Sequence, residues 1–216
     1  MTEDIRTELV AIDSGDGVAL NGAAWLPNTA SWDTAIALAP GTGSEFYQPL
    51  FAWLGPRLAA AGYPTLALNR RDHGAWFGYV DLATGSMDHR FAVDFLTQWG
   101  ARRVVLGGHS FGTVTAPYYV AETNDERVCG LLLYAPLGDL RPASAMICGG
   151  VEAYDRYVAE ARHMVADGCG GDAFVIPPMV PGGMPLTQSY RVFLDKRGPE
   201  TRAVPVDLIR HMGARP

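Results

Sequence analysis

The sequence predicts an α/β protein: a mainly parallel sheet flanked by helices. Three observations carry this. Thr34–Ala39, Arg103–Gly107 and Gly130–Ala135 are short continuous apolar runs, the pattern of strands covered on both faces. Between such runs lie segments with apolar residues at helical spacing, each about 10–15 residues long. The two kinds alternate along the chain, which calls for right-handed βαβ crossovers and hence parallel strands.

Taken in order, Glu8–Asp13 and Val18–Leu26 flank Ser14-Gly15-Asp16-Gly17 and read as an antiparallel hairpin. Thr34–Ala39 follows and ends at Pro40-Gly41. Phe46–Ala61 places Leu50, Trp53, Leu54, Leu58 and Ala61 at helical spacing, with Pro49 and Pro56 near its limits. Pro64–Leu68 reads as a strand and Asp88–Trp99 as an amphipathic helix through Phe91, Val93, Phe95 and Leu96. Arg103–Gly107, Phe111–Glu122 and Gly130–Ala135 then give strand, helix, strand. After Pro136 the alternation stops. Tyr154–Ala166 is a helix, Val204–Met212 a shorter one, and Pro/Gly-rich stretches between them suggest a short lid. No buried-strand run is expected beyond Ala135.

A chain of 216 residues suits one domain, here read as a core over 1–136 with a lid-like segment and C-terminal helix over 137–216. Apolar residues make up 48% and charged ones 19%, enough for a sizeable core. The net charge of −6 and the lack of any basic run argue against a nucleic-acid partner. No apolar stretch is long enough to span a bilayer. Met1-Thr2-Glu3-Asp4-Ile5 has none of the regions of a signal peptide, so a cytoplasmic location is expected. Cys129, Cys148 and Cys169 form no CxxC pair and read as reduced thiols. A single lysine, Lys196, stands against sixteen arginines, a bias of the kind codon usage produces.

The sharpest chemical signal is Gly108-His109-Ser110-Phe111-Gly112, which follows a strand and opens a helix. A G-x-S-x-G turn in that setting strains the serine backbone and lifts its hydroxyl above the carboxyl edge of the sheet. The flanking glycines permit the close approach. The helix N-terminus favours developing negative charge, and the Phe111 N–H can donate to an oxyanion. The same stretch lacks the G-K-[ST] of a phosphate-cradling loop. Asp72/His73 and Asp88/His89 are isolated pairs without metal-ligand spacing, so no metal is expected.

From these residues the chain resembles the α/β-hydrolase family. Pro40-Gly41-Thr42-Gly43 stands where the family has its second oxyanion donor, which implies the N–H of Thr42 or Gly43; the family often has His-Gly where Pro40-Gly41 stands. Asn69-Arg70-Arg71-Asp72-His73-Gly74 is similar to the family's D-x-R-G-x-G loop. Leu131-Leu132-Leu133-Tyr134-Ala135-Pro136 resembles the strand after the elbow helix. The resemblance covers Thr7 to Pro136. It implies acyl transfer to Ser110 from a carboxylic ester or thioester with an apolar acyl group, followed by hydrolysis, with no cofactor.

The same resemblance implies a triad in chain order Ser, acid, His, the last two after strands beyond the lid. Neither strand is legible, so the chain is expected to be C-terminally truncated relative to the family and to lack both partners. Asp139 is the candidate substitute acid, with a role as turn or cap residue the favoured reading. Among histidines, His109 reads as packing, His73 as hydrogen-bonded within its loop, His89 as the start of a helix and His163 as solvated. His211 is last in order but precedes the missing strands. Trp53, Trp76, Trp99 and Phe95 are expected to pack helices onto the sheet. Some of Phe46, Tyr47, Trp76, Phe77 and Tyr79 are expected to line an acyl pocket. Arg70 and Arg71 either bind an anion or, as loop arginines usually are, are solvated or paired. The alternative to an enzyme is a non-catalytic module that binds a small molecule or a partner, with the exposed edge at Gly130–Ala135 open to a complementing fragment or a second copy.

Overall fold

A computed structural model of the chain describes residues 5–28, 31–183 and 185–212, apart from the side chain of His211. Its main sheet has six strands: β1 (Ile5–Asp13), β2 (Ala19–Pro27), β3 (Thr34–Ala39), β4 (Thr65–Leu68), β5 (Arg103–His109) and β6 (Val128–Tyr134). Their order is β1-β2-β4-β3-β5-β6. The β1–β2 hairpin is antiparallel and meets β4 antiparallel. From β4 to β6 all pairs are parallel, as the alternation predicts.

Two-sided burial explains the apolar runs of β3 and β5, but the expectation for Gly130–Ala135 is corrected: β6 is the edge of the sheet, and Leu132 and Tyr134 on it are exposed. Ala35 and Ala37 of β3 face one layer with Leu106 of β5, while Ile36 and Leu38 face the other. The first layer holds α3 (His89–Gln98) and α4 (Gly112–Thr123), which contribute Val93, Leu96, Ala116 and Tyr119. The second holds α1 (Pro49–Ala60), which contributes Phe51 and Ala59. The β3 chain crosses through α1 toward β4, whereas the β5 chain crosses through α4 toward β6. The sheet therefore changes direction between β3 and β5, where a crevice opens above the carboxyl ends of the strands.

The region after β6 carries more structure than the sequence suggests. It contains α5 (Leu140–Ile147), α6 (Val151–Ala166), α7 (Tyr190–Arg197) and α8 (Pro205–His211), and α2 (Leu82–Met87) precedes α3. It also contains two short strands, β7 (Ala173–Ile176) and β8 (Leu186–Ser189), partly exposed and paired as an antiparallel ribbon separate from the main sheet; among the described residues no strand after β6 joins that sheet. Four residues per strand are too few for a periodic signal. The ribbon's Phe174 stacks on Tyr190, with ring centres 4.6 Å apart. Around them Val158, Ala161 and Phe193 form a second apolar core. Trp99 and Phe95 do pack on the main core. Trp53 and Trp76 do not: they are 56% and 62% exposed, on helical turns whose other faces are buried.

Leu106 of β5 is fully buried, between β3 and β6. Leu106→Ala should cost about 2–5 kcal/mol in urea denaturation, since the neighbouring strands cannot collapse into the void. His89 is also buried, with Nε2 3.0 Å from Thr115 Oγ1, and burial pushes its pKa down from 6.5 to about 3. The unfolded chain binds this proton first. Stability is therefore full above pH 6.5 and declines as pH falls toward 3, by at most about 1.4 kcal/mol per pH unit from this group. His89→Gln should flatten that slope in acid denaturation curves; an unchanged slope would contradict the assignment.

Candidate active site

Ser110 sits between the last residue of β5 and the first turn of α4. Its φ is +52°, a left-handed backbone that a residue with a side chain adopts only under external constraint. The constraints are visible. The Ser110 N–H donates to the Tyr134 carbonyl of β6 at 3.1 Å. Its own carbonyl accepts from the Thr113 N–H and hydroxyl, at 2.9 and 2.5 Å. Thr113 Oγ1 in turn accepts from the Leu137 N–H at 3.1 Å, tying the turn to the chain beyond β6. A Cβ on Gly108 would collide with the Gly112 carbonyl, and one on Gly112 would lie 2.5 Å from the Ala39 carbonyl. Both glycines of the motif are thus needed by close approach.

Gly41 rests against the serine: a Cβ there would lie 2.8 Å from Ser110 Cβ and 3.3 Å from its Oγ. This contact brings the chain just before Thr42-Gly43 against Ser110. The N–H groups of Thr42, Gly43 and Phe111 find no acceptor among the described residues. Phe111 N-caps α4, where amide groups have no intrahelical partner. One of these N–H groups belongs to the residue after Ser110 and the other two to the residues after Gly41, which rests on it. A cavity of about 810 Å³ is lined by Thr42, Gly43, Phe77, Tyr79, Leu186 and Thr187. Phe77 and Tyr79 were among the expected pocket aromatics; Tyr47 and Trp76 are largely exposed.

The proton-handling partners are placed less favourably. The Ser110 hydroxyl has no hydrogen-bond partner among the described residues. His109 points to the opposite face of the sheet, between Phe51 and Tyr134, into a separate apolar cavity of about 360 Å³ under α1. His73 stays within its loop, with Nδ1 2.8 Å from the Arg70 carbonyl and Nε2 3.8 Å from Glu45 Oε2. His163 lies on the surface of α6 beside Asp167. The side chain of His211 is outside the described residues. Asp139 caps α5 by accepting from the Arg141 N–H at 2.9 Å, and the Arg141 guanidinium holds its carboxyl below the usual carboxylate range. Its described bonds all go to Arg141.

Arg70 and Arg71 are committed to internal pairs. Arg71 joins Asp88 and Asp16, at 2.8 and 2.6 Å. Arg70 joins Asp72 at 3.0 Å and donates to the Pro40 carbonyl at 3.0 Å. The residue that sequence reasoning missed is Lys196 of α7. It is fully buried and 3.2 Å from Asp72, and its only signal was being the one lysine in the chain.

A family model described as the alpha/beta hydrolase family matches residues 36–214. Among solved structures, the chain is similar to DcsB in complex with its substrate analogue. Identity is 15% and the TM-score 0.70, over 96% of this chain and 77% of that one. It is likewise similar to the alpha/beta hydrolase GrgF from Penicillium sp. sh18, at 15% identity and TM-score 0.67 over 98% and 78% of the two chains. The siderophore hydrolase EstB from Aspergillus fumigatus matches at 16% identity and TM-score 0.60, over 89% and 64%. No curated protein matches in sequence. At these identities the structural likeness is one of fold. With a family model spanning most of its length, and a mainly parallel sheet whose strand β5 ends in the serine turn, the chain belongs to the alpha/beta hydrolase family.

Proposed function

We propose that the protein is a serine hydrolase acting on carboxylic esters or thioesters through an acyl-serine intermediate. The observation that carries this reading is Ser110 held at positive φ with Gly41 resting on it, and the N–H groups of Phe111, Thr42 and Gly43 unengaged among the described residues. Ser110 Oγ attacks the carbonyl carbon, and the carbonyl oxygen becomes an anion received by the Phe111 N–H and by the N–H of Thr42 or Gly43. Collapse breaks the bond to the alkoxide or thiolate, which leaves with a proton. Water then attacks the acyl-serine and frees the carboxylic acid. The 810 Å³ cavity, walled by Phe77, Tyr79 and Leu186, suits an apolar acyl group. Asp139 is the acid of this proposal only if its bond to Arg141 is exchanged. General-base assistance is worth about 10²–10⁴-fold, so turnover is slow unless a histidine reaches Ser110.

A second reading is favoured by two specific observations: the Ser110 hydroxyl is unpartnered, and the outer edge of β6 is unpaired among the described residues. In this reading the chain is a binding module that pairs along β6 with a second copy, across Leu132 and Tyr134, which are exposed. Light scattering over a wide concentration range separates the two, since an edge-paired dimer dissociates on dilution.

The enzyme reading predicts measurable hydrolysis of a p-nitrophenyl ester that is abolished in Ser110→Ala. Hydrolysis that survives this substitution, or none by the folded wild type, would refute it. Gly41→Ala should lower the rate about tenfold or more without unfolding the chain, because the added methyl presses on Ser110. Circular dichroism and the ester assay check both parts.

A further inference from the structure

Lys196 has no exposed surface, and its surroundings are specific. Its Nζ donates to the Phe77 carbonyl at 2.8 Å and to Asp72 Oδ2 at 3.2 Å. It also lies over two aromatic faces, 4.0 Å from the centre of Phe77 and 5.2 Å from that of Phe111. Those rings meet edge to face at 4.8 Å. One ammonium therefore touches the residue that follows the nucleophile, a wall of the large cavity and the loop after β4.

The contact does not stop at Asp72. The second carboxylate oxygen is 3.0 Å from Arg70 Nη2, and Arg70 Nη1 donates to the Pro40 carbonyl at 3.0 Å. Pro40 precedes Gly41, which rests on Ser110, and the Thr42-Gly43 turn follows directly. Both halves of the proposed oxyanion cradle thus trace to the same cation: Phe111 through its ring, and Thr42-Gly43 through Asp72, Arg70 and Pro40. Burial pushes the pKa of Lys196 down. Burial also works to raise that of Asp72, but Arg70 and Lys196 outweigh it and hold the carboxyl ionised. A buried charge set of this kind is costly to assemble and strongly coupled once formed.

We propose that Lys196 is a positioning residue that clamps the segment beyond β6 onto the active site and sets the two halves of the oxyanion cradle relative to each other. The catalytic consequence rests on the acyl-serine reading; the clamp itself does not. The lysine touches no reacting atom. It acts through Phe111 on one side and through Asp72 and Arg70 on the other. Cavity-lining Leu186 and Thr187 belong to the same segment as α7, so the Lys196 contacts, rather than the apolar core of that segment, link it to the donors.

The test compares Lys196→Met with Phe193→Ala, which weakens the apolar core of the same segment without touching the clamp. The reporters are the amides of Ser44 and His73, hydrogen-bonded to Gly41 and Arg70 within the two loops that the clamp joins. Lys196→Met should speed their hydrogen exchange selectively, by about tenfold or more, while Phe193→Ala speeds exchange mainly in α6 and α7. Ester hydrolysis should fall about tenfold in kcat with KM little changed, the signature of a misaligned transition-state contact. Unchanged exchange at Ser44 and His73, or equal acceleration in both variants, overturns the clamp. If Lys196→Met does not fold, Lys196→Gln, which keeps the hydrogen bonding and loses the charge, is read the same way. A wild type that hydrolyses no ester refutes the acyl-serine reading alone, and the exchange data still decide on the clamp.

Discussion

The rest of this structure depends on how closely β3, β5 and α4 approach one another at the carboxyl edge of the sheet. Backbone meets backbone there with no room for side chains: Gly112 lies under the Ala39 carbonyl and Gly108 under that of Gly112. The turn between them can close only if its central residue is left-handed, and that residue is Ser110. The strain is offset by bonds from Tyr134 and Thr113 and by two buried apolar layers that fix the strands. A serine placed this way has little freedom to turn aside. The N–H groups of Phe111 behind it and of Thr42 and Gly43 beyond Gly41 have no acceptor among the described residues. The chemistry proposed for it would be a by-product of packing.

A second constraint is electrostatic. Three charged residues of the loop after β4 are internally paired, and Asp88, Asp16 and Lys196 arrive from three other parts of the chain to meet them. Burying such charges gains little net stability over apolar packing, but removing one partner strands the others. The arrangement therefore specifies geometry more than it adds stability. It fixes where the loop lies, and through the Pro40 carbonyl it fixes the cradle.

The division between what was legible and what was not follows from the range of the interactions. The inner parallel strands could be read because two-faced burial demands an apolar run, as at Thr34–Ala39, and the β1–β2 hairpin because of the Ser14–Gly17 turn between its arms. The serine turn could be read because its glycines are required by sterics within five residues. Tyr190–Arg197 could not. It is buried on several sides, including at Lys196 and Arg197, so it shows no clean apolar stripe. Lys196 and Asp72 are 124 residues apart, and neither carries a local sign of the other. Likewise Asp139 in isolation fits an acid as well as a cap, and its bonds to Arg141 become visible only once α5 is in place.

The central claim is that the fold makes Ser110 a nucleophile. Its most direct test is the intact mass of the purified chain after incubation with a fluorophosphonate, followed by peptide mapping. One adduct per chain, located on Ser110 and absent from Ser110→Ala, is the result this account predicts. A folded wild-type chain that gains no mass, or an adduct that persists in Ser110→Ala, would contradict it.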